Sequence, residues 1–130
     1  MRRVLVLGIA LLLASPARAQ TADQKTENDA WFGPDKALHF GASASIAVVV
    51  YAGSSFKTDH RPTRAAAAFT IALGAGILKE TWDLTGHGDA SWRDLTWDVV
   101  GATTGVLFAY AIDWAVSRLR GPTVSVETGR

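Results

Sequence analysis

The chain has 130 residues, 48% of them apolar, a formal net charge of +1 and no cysteine. That length holds one domain, and 13 basic against 12 acidic residues exclude a strongly basic nucleic-acid-binding surface, so no nucleic acid is expected as a partner. Without cysteine there is neither a disulfide framework nor a thiolate metal site, and stability must come from packing.

Residues 1–19 read as a signal peptide: Met1-Arg2-Arg3 supplies the charged start, Val4 to Ala14 the apolar run, and Ala17-Arg18-Ala19 the small-residue cleavage site. The apolar run is about half the ~20 residues that a spanning helix needs, which favours export with cleavage before Gln20 over an uncleaved first span. No cysteine is available for lipid attachment at a processed N-terminus, so any membrane attachment falls to the helices. Residues 20–34 form a polar, flexible leader ending in the turn signal Gly33-Pro34-Asp35. From Ala37 to Phe56 the residues are small or apolar except for His39 and a few serines, and this is the first predicted helix. A polar connector carrying Lys57, Asp59, His60, Arg61 and Pro62 follows. The second helix is predicted from Arg64 to about Leu84, capped by Thr63 and stopped at Gly86. Thr85 to Ala90 is a loop. Ser91 and Asp94 make an S-x-x-D start signal for a third helix, from Trp92 to about Leu119, which Gly121-Pro122 ends. Residues 121–130 are a polar tail, with strand-like alternation only at Thr123 to Val126. The predicted fold is all-α: a compact antiparallel bundle of three helices over residues 35–120.

The first helix meets the length for spanning a bilayer, and the other two meet it if Glu80, Asp83, Asp98 and Asp113 lie near the interfaces. Export would place the first helix's start outside, so the connector with Lys57, Arg61 and Arg64, and the end with Arg118 and Arg120, fall inside, as the positive-inside rule asks. Trp82, Trp92 and Trp97 then lie at the outer interface and Trp114 at the inner one. Gly101 and Gly105 form a G-x-x-x-G, Gly41 and Ser45 repeat that spacing, and Gly76 adds a small residue to the second helix. All five are candidate helix-packing positions. The alternative location is a soluble periplasmic bundle with the same small residues packed tightly.

Ionisable groups gather at one end of this arrangement. Asp35, Lys36 and His39 open the first helix, Lys79, Glu80 and Asp83 close the second, and Arg93, Asp94 and Asp98 open the third. Helical spacing puts Asp35 with His39, Gly76 with Glu80 and Asp83, and Asp94 and Asp98 with Gly101 and Gly105 on shared faces. The polar cluster Asp35, Lys36, His39, Glu80, Asp83, Arg93, Asp94 and Asp98 is therefore expected to converge between helices, either as a binding pocket or as an ion-pair network. His39, Glu80 and Asp98 stand a turn inside their helices, where an ionisable group in a membrane is costly and points to function. His39 with Glu80, Asp83 and Asp98 could supply nitrogen and oxygen ligands. No H-E-x-x-H spacing is present, however, so no metal or other cofactor is expected, and no serine elbow supports nucleophilic catalysis.

Three ordered motifs, D-K-A-L-H-F at Asp35 to Phe40, K-E-T-W-D at Lys79 to Asp83, and S-W-R-D-L-T-W-D-V-V-G-A-T-T-G at Ser91 to Gly105, resemble the small envelope proteins typified by YfiM, a family of unknown function. A looser resemblance links the chain to VanZ-like membrane proteins, in which Asp35, Lys36, His39, Glu80, Asp94 and Gly101 match. Asp83 stands where that family commonly has glutamine, and Asp98 where it commonly has asparagine. The resemblances imply an envelope role without a mechanism. The expected function is binding of an envelope lipid or precursor head group in a periplasm-facing pocket of an inner-membrane bundle. The rival expectations are a structural or assembly protein that docks a partner membrane protein, and a membrane hydrolase with Glu80 or His39 as general base.

Overall fold

The computed structural model describes residues 30–120. The expected signal segment, leader residues 20–29, the tail 121–130 and the alternation within it lie outside the described residues. Among the described residues there are three α-helices and no strand: α1, Pro34–Ser54; α2, Arg61–Trp82; and α3, Trp92–Leu119. A π-helical turn, Asp83–His87, extends the end of α2. The all-α expectation holds.

The helix ends differ from the sequence reading for local reasons. α1 starts at Pro34 rather than Ala37, since proline's fixed φ suits the first helical position, where its missing N–H would have no partner. Gly33 is extended there, and its carbonyl accepts from the Ala37 N–H at 3.1 Å. At α2 the cap is His60, not Thr63: its Nδ1 accepts from the Thr63 N–H at 3.4 Å and lies 2.8 Å from Thr63 Oγ1. Arg61 and Pro62 consequently join the first turn. Gly86 is the stop, inside the π turn; its φ of 93° lies in the left-handed region that glycine enters without a Cβ penalty. Ser91 caps α3, its Oγ accepting from the N–H groups of Arg93 (3.2 Å) and Asp94 (3.4 Å).

Buried positions recur every four residues. His39, Ser43, Ala47 and Tyr51 form the α1 seam, and Arg64, Ala68, Ala72, Gly76 and Glu80 that of α2. On α3 the inward set is Asp94, Asp98, Gly101, Ala102, Gly105 and Ala109. His39 pairs with Asp98, and Tyr51 with Asp113 further along, so α1 and α3 run parallel while α2 returns between their ends. The α1–α3 contact is the most extensive of the three. It is close because of Gly101 and Gly105: a Cβ at Gly101 would strike the Phe40 carbonyl oxygen, and one at Gly105 the Ala44 carbonyl oxygen. The two contacts share one register, as expected when a G-x-x-x-G ridge lies along a parallel neighbour. Gly41 has open space where a Cβ would stand, so Phe40 and Ala44, not Gly41 and Ser45, provide the α1 side. The rotation follows from His39 and Ser43, which turn inward and carry Ala47 with them.

The interior is made of small and polar residues, whereas the bulky apolar ones point out. Ala47, Ala72 and Ala102 are fully buried, and Tyr51 is the one large side chain fully buried among the described residues. Leu78 is 72% exposed, Leu107 65% and Phe108 57%, and Ile71, Ile77 and Trp114 also face outward. This inverts the usual arrangement of a water-soluble bundle. α1 and α3 are each long and apolar enough to cross a membrane.

The glycine contacts separate two otherwise similar substitutions. Gly101→Ala should destabilise the purified protein by about 1–3 kcal/mol, because the new Cβ meets backbone that cannot rotate away. Gly41→Ala should be neutral or stabilising by up to about 1 kcal/mol, through helix propensity alone. Thermal unfolding of the two variants beside the wild type checks both.

Candidate functional site

Asp98 is the organising residue of the polar end. Its carboxylate is 3% exposed and accepts from His39 Nδ1 (Oδ2, 3.1 Å) and Ser43 Oγ (Oδ1, 2.7 Å), both on α1. Against α2 it lies where a side chain at position 76 would be, so a Cβ there would push the Asp98 carboxylate away from its donors. A buried carboxylate without such donors would carry a large desolvation cost.

The other ring nitrogen of His39 faces Lys79, whose Nζ is 3.1 Å from Nε2. An ammonium has only protons to offer, so a neutral His39 ring accepts there with the Nε2 lone pair. The proton of a neutral ring then sits on Nδ1, directed at Asp98, and Lys79 and Asp98 together set the tautomer. The same Lys79 Nζ contacts Glu80 Oε1 at 3.2 Å and Asp83 Oδ2 at 2.9 Å. Three acceptors from two helices thus surround one ammonium.

Glu80 has a second task. Its Oε2 accepts from the backbone N–H of Ser91 at 2.6 Å, tying the end of α2 to the start of α3. In a capping box that contact would come from Asp94, three residues after the cap. Here Asp94 turns inward, 2% exposed, and its Oδ1 pairs with Lys36 Nζ at 2.5 Å, while Oδ2 is 3.8 Å from His39 Nε2. Expecting Asp94 to act as a helix-start group therefore captures its position but not its partner.

The remaining expected residues divide. Asp35 lies at the rim, its side chain 61% exposed and 3.4 Å from Lys36. Asp83 is buried against Gly88, where a Cβ would collide with its carboxylate. Arg93 sits over the rings of Trp31 and Trp92, at 5.5 Å from each centroid, rather than among the groove-lining residues. A shallow groove of ≈330 Å³ opens between α1 and α2; its surface is mostly apolar, with Leu38, Ala42, Ile46 and Ala75 among the lining, and His39, Ser43, Lys79 and Asp98 border it.

Sequence reading missed two features. Trp31 and Phe32, within the stretch expected to be a flexible leader, pack on α3: Trp31 meets Trp92 edge-on at 4.8 Å, and its carbonyl accepts from Trp97 Nε1 at 2.8 Å. At the other end, Asp113 Oδ2 accepts from Arg61 Nε (2.7 Å), Arg64 Nη1 (3.3 Å) and the Tyr51 hydroxyl (3.3 Å). The four-residue steps from His39 to Tyr51 and from Glu80 back to Arg64 would have revealed this second cluster, because they continue the same seams. Trp31 left no comparable signal, lying before the first helical period.

Because His39 and Asp98 share a proton and one buried position, their effects on stability should not add. Single His39→Ala and Asp98→Ala variants should each destabilise, and the double variant should lose less than their sum, with a coupling energy of about 0.5–3 kcal/mol from a thermal-unfolding double-mutant cycle. No protein-family model, curated protein or solved structure matches this chain.

Proposed function

We propose that the chain is a membrane-embedded envelope protein whose outward-facing groove binds the anionic head group of an envelope lipid or lipid-linked precursor. The observation that carries this reading is the pairing of an inverted bundle, large apolar side chains outside and small or polar ones within, with a mostly apolar groove bordered by His39, Ser43, Lys79 and Asp98. A groove of that composition, opening sideways between two helices, suits a molecule with a charged head and a hydrocarbon body. In lipid, the outward Leu, Ile and Phe residues need no covering, and close approach of small-residue faces supplies the packing that water would otherwise drive. Aromatic residues support the same placement: Trp31, Trp82, Trp92 and Trp97 belong to the polar-cluster end, while Trp114 lies toward the arginine-rich end, beneath Arg118 at 4.9 Å. Orientation with the groove toward the periplasm is supported by the expected signal segment and by Arg61, Arg64, Arg118 and Arg120 at the opposite end.

Within this reading the anion-contacting cation is Lys79 rather than Lys36. Lys36 is 8% exposed and held on Asp94, whereas Lys79 is 44% exposed and lines the groove. The resemblance to YfiM-like and VanZ-like proteins is consistent with an envelope role and adds no chemistry. Catalysis by His39 has less support, since the lone pair that would take a proton already faces an ammonium.

A second reading is favoured by one specific observation: the charged groups are largely satisfied by one another, as in a network that fixes helix register. Lys79→Met decides between the two. On the head-group reading, the wild type resists carbonate extraction and carries lipid adducts in native mass spectrometry, and the variant keeps its helical content while losing most of those adducts. Adducts retained equally by both proteins would leave the register role alone, and release of the wild type by carbonate would overturn membrane embedding.

A further inference from the structure

The arginine-rich end of the bundle carries more positive charge than its own carboxylates answer. The geometry points to a binding surface there for an anionic phospholipid, with Arg118 and the outer edge of Arg61 on its phosphate and Leu107, Tyr110 and Trp114 of α3 along its acyl chain. The inference rests on the membrane placement proposed above but not on the groove, which belongs to the opposite end of the helices.

Charge is the first support. Among the described residues, Lys57, Arg61, Arg64, Arg118 and Arg120 stand at this end against the carboxylates of Asp59 and Asp113, an excess of three positive charges. Asp113 meets both Arg61 (2.7 Å) and Arg64 (3.3 Å) through the same oxygen, Oδ2, so one carboxylate answers two guanidiniums. Those two have different tasks. Arg64 is buried, donates to the Tyr51 carbonyl at 3.2 Å and lies on the Tyr51 ring, which makes it an internal strut. Arg61 is 31% exposed and reaches across to α3, where its Nη2 donates to Ser117 Oγ at 2.8 Å. With Nε on Asp113 and Nη2 on Ser117, its Nη1 has no partner among the described residues. Arg118, next to Ser117 in the chain, is exposed and lies over the Trp114 ring at 4.9 Å. A guanidinium fork matches the oxygens of a phosphate, and this end presents two of them side by side on neighbouring helices.

The surface beside that charge identifies the anion as a lipid. Leu107, Tyr110 and Trp114 follow one another at helical spacing, all exposed, and lead to Arg118 in the last turn of α3. The order from aliphatic residue to tyrosine, tryptophan and arginine is the order of depth at a membrane interface, where aromatic rings sit at head-group level and cations face the phosphates. A soluble anion would meet the arginines alone and have no use for the strip. Steadying the α3 dipole is the plain role for arginine in a last turn, and Arg120 at the C-cap serves it without a ring beneath.

The test places the full chain in vesicles of phosphatidylcholine and phosphatidylglycerol, with one lipid or the other brominated in its acyl chains. Quenching of Trp114 is read as the difference between each protein and its Trp114→Phe counterpart. At low salt, phosphatidylglycerol should be preferred around Trp114 by about fivefold or more, and salt at about 0.5 M should bring the ratio toward one. Arg118→Gln should reduce the preference about fivefold, the share of one interfacial cation. Lys79→Met, at the other end, should leave it unchanged. Equal quenching by the two lipids in the wild type would overturn the surface, as would a preference that neither salt nor Arg118→Gln reduces. If Arg118→Gln loses its helical content by circular dichroism, the salt series on the wild type decides alone. Failure of either lipid to quench any tryptophan would overturn membrane placement and this inference together, whereas equal quenching overturns the inference alone.

Discussion

One buried carboxylate holds the polar end together. Asp98 belongs to α3, takes its hydrogen bonds from His39 and Ser43 on α1, and fills the place that a side chain at Gly76 of α2 would need. Each helix is thus fixed relative to the other two through a group that a low-dielectric surrounding tolerates only when its lone pairs are occupied. The rest of the cluster follows from that anchor. His39 is turned so that Nε2 looks across to α2, Lys79 answers with its ammonium, and Glu80 beside it reaches the N–H of Ser91, the cap of α3.

Between its two charged ends the bundle is held mainly by close approach. Ala47 meets Ala72 and Ala102, then Tyr51 meets Ala68 and Ala109, with Gly101 and Gly105 bringing the α3 backbone against α1. Such layers bury little apolar area, and in water they would be a poor return for the entropy lost on ordering three helices. In a bilayer the balance would differ, because the outward leucines and phenylalanines would meet hydrocarbon, and helix contact would be driven by van der Waals fit and polar pairing. The second cluster, where Asp113 gathers Arg61, Arg64 and Tyr51, closes the other end by a similar device. The Arg64 guanidinium also lies 4.3 Å above the Tyr51 ring and donates to that residue's carbonyl.

Site and scaffold therefore use the same residues. Asp98 orients His39 and also spaces the helices; Glu80 pairs with the Lys79 ammonium and also holds the N–H of Ser91, the cap of α3. A substitution there alters chemistry and assembly at once, so Lys79, exposed and dispensable to the seams, is the position where the two can be read apart.

The sequence by itself determined the three helices, since each carries an uninterrupted apolar or small-residue stretch bounded by Gly33-Pro34, Gly86 or Ser91, signals that act within a turn of the chain. It also determined which residues gather at one end, because consecutive helices joined by short connectors must alternate in direction. Partners were decided only by tertiary structure. Whether Asp94 caps its own helix or pairs with Lys36, whether Gly41 or Ala44 faces Gly105, and whether Lys79 or Lys36 borders the groove all depend on how far each helix rotates about its axis. That rotation is set by contacts between residues far apart in the chain, His39 with Asp98 foremost, and no local period encodes it.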